Sequence, residues 1–245
     1  MVSKAIAIVA GVGPGTGASV ARRFAKAYPV VLLARNPDNY ESLVKEINSS
    51  GGKAIGISTD VSSPDSIKNA MSQVNKEFGD VPAAAAIFNA SGRFARKPLL
   101  EMTLDEFQGG HEVSVKGAFL FSQAVLPLLL KHVPSGEHPP TLIFTGATAS
   151  VKANALMSGF ASAKFALRAL STSIAKEFAP KGVHVAHAVI DGVIDIPRTK
   201  EWLKDQPPEA KIEADGIAEA YWNLHQQSKR CFTNEIDIRP MMEKW

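Results

Sequence analysis

Apolar residues along the chain fall into short uninterrupted runs, and between the runs they recur at helical spacing. The runs at about 4–10, 29–34, 53–58, 83–89, 140–146, 182–190 and 233–238 predict strands. The stretches at about 16–27, 37–50, 63–78, 103–131, 158–179 and 215–227 predict helices. Val30-Val31-Leu32-Leu33-Ala34 is representative. It lacks the alternation of a half-buried strand, so both of its faces are covered. Strands of this kind alternating with helices predict an α/β, doubly wound parallel sheet of about seven strands with helices on both faces. Ser63-Pro64-Asp65 marks a helix start, with proline near the first helical position. Loops 134–140 and 205–208 are proline-rich, but the strand–helix rhythm resumes after each, so residues 1–245 read as one domain.

The link between the first strand and the first helix carries the most chemistry. Ala5-Ile6-Ala7-Ile8-Val9 runs into Ala10-Gly11-Val12-Gly13-Pro14-Gly15-Thr16-Gly17, and a helical pattern follows. Such a turn brings backbone N–H groups and a helix N-terminus against a phosphate. Glycine removes the Cβ atoms that would block the turn and the approach of a ligand. The pattern favours a dinucleotide site over a purely structural turn, with Gly11, Gly13, Pro14, Gly15, Thr16 and Gly17 at the phosphates of a Rossmann-type domain. The second strand ends in Ala34, where folds that prefer NAD keep a carboxylate for the ribose 2′-hydroxyl. Arg35 follows, and a guanidinium pairs with a 2′-phosphate, so NADP(H) is the expected cofactor. The alternative is a surface charge and loose specificity.

Composition narrows the classes without adding chemistry. The chain has 245 residues, 45% hydrophobic and 21% charged, as in an ordinary globular protein. A net charge of +3 with no basic tract gives no case for nucleic acid. Cys231 is the only cysteine, so no internal disulfide forms, and a small side chain at least half-buried is expected. No segment reads as approaching a membrane span, and the first strand leaves no room for a signal peptide, so the expected location is cytoplasmic. His184 and His187 are three apart on a predicted strand and point to opposite faces, and no metal is expected. Arg93, Arg96 and Lys97 follow the fourth strand, as a solvated basic loop or as steering for an acidic substrate.

Further motifs, in order along the chain, resemble those of the short-chain dehydrogenase/reductase family. They are Gly11-x3-Gly15-x-Gly17, Asp60-Val61, Asn89-Ala90, Lys164 within Phe160-Ala161-Ser162-Ala163-Lys164, and Asp191-Gly192-Val193-Ile194. The resemblance implies an adenine contact at Asp60 and Val61, a ribose contact at Lys164, and cofactor contacts at Asn89, Ala90, Gly192 and Ile194. It also implies a small-molecule substrate and a homodimer or homotetramer paired through the helices near 103–131 and 158–179. Phe144-Thr145-Gly146-Ala147-Thr148-Ala149-Ser150, Lys164-Phe165-Ala166-Leu167-Arg168-Ala169-Leu170 and Asp237-Ile238-Arg239-Pro240 resemble a divergent branch of that family without its tyrosine.

The family's Asn, Ser, Tyr and Lys are reduced here to the lysine. Ser114 stands at the asparagine position, Ala147 at the serine and Phe160 at the tyrosine, and Ile196 replaces a threonine that follows the glycine of the last motif. Phenylalanine has no ionisable proton and cannot act as a general acid or base. Hydride transfer needs mainly positioning, so the proton can come from water, Ser158, Ser162 or Thr148. Lys164, Ser114 and Thr148 are therefore the candidate catalytic residues. Two alternatives stand beside an NADP(H)-dependent oxidoreductase: a dinucleotide-binding protein without redox turnover, and a purely structural role.

Overall fold

The apolar runs form β1 (Ile6–Ala10), β2 (Val30–Ala34), β3 (Ala54–Ser58), β4 (Ala83–Phe88), β5 (Thr141–Thr145) and β6 (His184–Ile190). Two-residue strands β7 (Ile194–Asp195) and β8 (Ile212–Glu213) precede β9 (Glu235–Ile238). They are seen in a computed structural model that describes residues 5–92, 94–134 and 136–244. The main sheet has seven strands in the order β3-β2-β1-β4-β5-β6-β9, and every neighbouring pair is parallel. Strand order reverses between β1 and β4, which opens a crevice at their carboxyl ends.

The helices are α1 (Thr16–Ala25), α2 (Glu41–Ser49), α3 (Pro64–Phe78), α4 (Leu104–His111), α5 (Ala118–His132), α6 (Ser158–Phe178) and α7 (Ala214–His225). On one face Val9, Ile87, Ile143 and Ala186 pack with Phe24, Leu43 and Tyr221 from α1, α2 and α7. On the other Ile8, Phe88, Leu142 and Phe144 pack with Ile67, Phe121 and Leu167 from α3, α5 and α6. Two covered faces explain why the strand runs are apolar at every position. The Ser63 hydroxyl caps α3 by accepting from the Ser66 N–H at 3.3 Å, with Pro64 in the first turn as expected.

The structure departs from the sequence reading at several points. The helix expected at 37–50 is a 3₁₀ turn, Pro37–Asn39, and then α2. The Asn36 side chain accepts from the Asp38 N–H at 3.2 Å and sets the turn. The helix expected at 103–131 is interrupted by a π-helical segment, Glu112–Gly117, between α4 and α5. Leu104–His132 is also long and apolar enough to cross a membrane, by length and composition, contrary to the expectation of no such segment. Part of its apolar surface has a partner inside the fold, because Phe121, Val125 and Leu129 are fully buried against the sheet. Cys231 is exposed rather than half-buried, because it lies in the loop between α7 and β9.

Candidate active site

The glycine turn leaves β1 at the crevice and delivers the chain to α1. Gly11 has φ +87°, and a Cβ on it would lie 2.3 Å from the Ala90 nitrogen. A Cβ on Gly17 would lie 2.7 Å from the Gly11 carbonyl oxygen, which accepts from Asn89 Nδ2 at 2.9 Å. These two glycines therefore let the turn pack on itself and on the end of β4. Gly13 is different: a Cβ there would meet nothing within 4 Å. Among the described residues no side chain caps α1, its first turn holds no acidic residue, and Pro14 is exposed beside it. An uncapped helix N-terminus beside a glycine turn with open space suits a pyrophosphate, so the residues present fit a dinucleotide. Gly15 faces Ile196, whose Cγ2 would be 2.7 Å from an added Cβ, so the segment after β7 rests on the turn.

Arg35 is exposed at the end of β2, and its carbonyl oxygen accepts from the Ser58 hydroxyl at 2.9 Å. Asp60 accepts from the Ser62 hydroxyl at 2.7 Å and the Ser62 N–H at 2.9 Å. The Ser62 hydroxyl and N–H hold its carboxyl below the usual range against partial burial, helped by the charges of Arg35 and Lys116. Val61 is buried against the π-helical segment, where a Cβ on Gly117 would lie 2.9 Å from Val61 Cγ2.

The other half of the crevice lies at the carboxyl ends of β5 and β6. Lys164 reaches in from α6 and is buried, with Nζ donating to the Thr145 carbonyl oxygen at 3.0 Å. Burial pushes its pKa down to about 8. The Phe160 ring stands one helical turn earlier, 5.9 Å from Nζ, and packs edge-on against Phe94 with centroids 5.1 Å apart. Ser114 is buried in the π-helical segment and accepts from the Gly92 N–H at 3.3 Å. A π segment re-aims side chains that a regular helix would place elsewhere, and such segments concentrate at functional sites.

The Thr148 hydroxyl donates to Asp191 Oδ1 at 2.6 Å, and Asp191 Oδ2 lies 3.4 Å from Arg239 Nη2. The sequence shows Asp191 only as a motif position and does not reveal its pairing with Thr148. The Ser158 and Ser162 hydroxyls donate to Met102 Sδ at 3.6 Å and the Gly159 carbonyl at 3.2 Å. Gly192 has φ +149° and abuts Pro240, and Ile194 pairs with Ile212 in the small sheet. Lys97 pairs with Glu106 at 3.0 Å and Arg96 is exposed, while Arg93 lies outside the described residues. His184 bonds to the Leu224 and Thr233 carbonyls, and His187 to Glu235, on opposite faces of the sheet. No cluster of metal-ligating side chains occurs among the described residues.

Residues 5–207 match the family model for short chain dehydrogenase. The chain belongs to that family. A short-chain dehydrogenase from Rhodopseudomonas palustris is 33% identical, with a TM-score of 0.80 over 97% of this chain and 99% of its own. An alcohol dehydrogenase from Thermococcus sibiricus, solved with 5-hydroxy-NADP, is 25% identical with a TM-score of 0.82, over 98% of each chain. An uncharacterized oxidoreductase of Staphylococcus epidermidis is 27% identical over 241 residues, 98% of this chain and 99% of the relative. This short-chain dehydrogenase is an oxidoreductase of a family that uses nicotinamide dinucleotides.

Proposed function

We propose that the chain is an NADP(H)-dependent oxidoreductase that acts on a small organic carbonyl, alcohol or activated alkene with no phenol at its site. The observation that carries this reading is the open glycine turn and uncapped α1 at the strand-order reversal, with Arg35 ending the adjacent strand. The relative solved with 5-hydroxy-NADP supports it. When bound, a nicotinamide dinucleotide supplies or takes up a hydride. The turn from Gly11 to Gly17 would hold the pyrophosphate, Arg35 the 2′-phosphate, Asp60 and Val61 the adenine, and Asn89 and Ala90 the floor between the two halves. Lys164 would hold the ribose hydroxyls, and Gly192 and Ile194 would border the nicotinamide.

The chain's own groups then manage the proton. Phe160 shapes the pocket with Phe94 and cannot exchange a proton. Ser158 and Ser162 spend their hydroxyl protons on Met102 and Gly159. Thr148 spends its own on Asp191, so its oxygen acts as an acceptor while that bond holds. Ser114 accepts from Gly92, which leaves its O–H to orient a water or a substrate oxygen. Lys164, with a pKa near 8, exchanges its proton at physiological pH.

Association of copies through α5 and α6 belongs to the same proposal, with Phe119 and Phe165 exposed on that surface. Leu167, Ala161 and Ala163 of α6 face the core and contribute nothing to that surface.

Arg35→Ala tests the cofactor assignment. A charge-assisted contact to a phosphate is worth roughly 1.5–3 kcal/mol, so NADPH affinity should fall about ten- to a hundredfold while NADH affinity holds. Equal losses for both cofactors in a binding titration would assign Arg35 to folding.

A further inference from the structure

His187 is a buried imidazole that the proton handling above does not use. It is 1% exposed, on β6, on the face covered by α6. Its Nδ1 lies 3.1 Å from Glu235 Oε2 on β9, and Glu235 also accepts two bonds from Arg168 at 2.7 and 2.8 Å. An ionised carboxylate only accepts, so Nδ1 carries the hydrogen and Nε2 presents a lone pair. That lone pair has no hydrogen-bond partner among the described residues. It is aimed at Gly146, where a Cβ would come within 2.4 Å of Nε2. Gly146 directly follows Thr145, whose carbonyl oxygen takes the Lys164 ammonium at 3.0 Å. A buried acceptor without a donor thus lies one residue along the chain from the carbonyl that holds a buried ammonium, close enough to feel its charge. Buried polar atoms are nearly always paired, so an orphan of this kind calls for an explanation.

We propose that His187 is a positioning residue for Lys164: Nε2 accepts from the ammonium, directly or through one water, and holds it charged and aimed at the site, while Glu235 locks the tautomer that makes Nε2 an acceptor. The inference rests on the role given to Lys164 above and supplies the partner that the missing phenol leaves vacant. Burial lowers the pKa of His187 to about 4, against the pull of Glu235, so the imidazole stays a neutral acceptor wherever Lys164 titrates. The charges facing it are Lys164 and Arg168 from α6, which oppose its protonation, and Glu235 from β9, which favours it. Behind the Thr145 peptide, the Tyr221 hydroxyl of α7 bonds to Thr145 Oγ1 at 2.9 Å, and burial raises its pKa, so it stays neutral.

The test reads the Lys164 Cε resonance against pH in protein labelled with ¹³C-lysine, with Lys164→Gln identifying the signal. Wild type should titrate near 8. His187→Phe should move the midpoint down by about one pH unit, a tenfold shift toward the amine. His187→Gln, whose amide oxygen can stand where Nε2 stands, should restore part of the shift. An unchanged midpoint in folded His187→Phe overturns the proposal. If that variant does not fold, an unchanged midpoint in the smaller His187→Ala overturns it equally. The titration needs no cofactor, so a chain that shows the shift yet binds no NADPH would refute the cofactor reading and leave the coupling of Lys164 to His187 standing.

Discussion

Gly11→Ala is expected to lower the melting temperature by about 10 °C and to abolish dinucleotide binding. Two costs combine. A residue with a side chain at φ +87° is strained, by roughly 1–2 kcal/mol. Its Cβ would also lie 2.3 Å from the Ala90 nitrogen and 2.5 Å from the Ala90 Cα, which are backbone atoms at the end of β4. Backbone cannot rotate away as a side chain does, so the turn and β4 must separate, for about another 1–3 kcal/mol. The movement opens the Asn89 bond to the Gly11 carbonyl and disorders the turn meant for the phosphates. Gly13→Ala is the control. Its Cβ meets nothing within 4 Å, so stability should hold while cofactor affinity falls. Thermal melts and NADPH titrations of both variants separate the two effects. Equal melting temperatures for Gly11→Ala and wild type would contradict this account of the turn.

Lys164→Met should make the protein more stable and nearly useless for the cofactor. The ammonium is buried, and burial lowers its pKa from 10.5 to about 8. A shift of that size corresponds to about 3 kcal/mol of destabilisation at neutral pH. Methionine fills similar space without a charge, and the lost bond to the Thr145 carbonyl offsets about 1 kcal/mol. The net gain is about 2 kcal/mol, or about 6 °C in melting temperature. The sign follows from proton linkage. Between about 8 and 10.5 the unfolded chain holds the Lys164 proton more tightly than the folded chain. Wild-type stability therefore gains as pH rises through that window, and the gap to the variant closes. NADPH affinity should fall at least about tenfold, the scale of a charge-assisted hydrogen bond. A variant less stable than wild type at neutral pH would show that the buried ammonium stabilises the fold.

The sheet was legible because both of its faces are covered. Runs such as Val30–Ala34 and Ala83–Phe88 have no polar position to confuse them with surface. The glycine turn was legible because Gly11 and Gly17 answer to local geometry. The π-helical segment was not, because one inserted residue in a helix of 29 barely disturbs the 3.6-residue period of apolar positions. The strands β7 and β8 have two residues each, too few for any pattern. Thr148 with Asp191, and His187 with Glu235, are 43 and 48 residues apart. Such pairs depend on which parallel strands become neighbours and in what register, and composition along the chain does not encode that. An aspartate closing a β6-type strand was the one local hint, since carboxyl ends of such sheets are where ligands sit.

Binding of NADPH and NADH, followed by nicotinamide fluorescence on the purified wild-type chain, tests the central claim most directly. The account predicts saturable binding of both, with NADPH tighter by at least about tenfold, the contribution of Arg35 to a 2′-phosphate. No saturable binding of NADPH by folded protein, or equal affinity for the two cofactors, would contradict it.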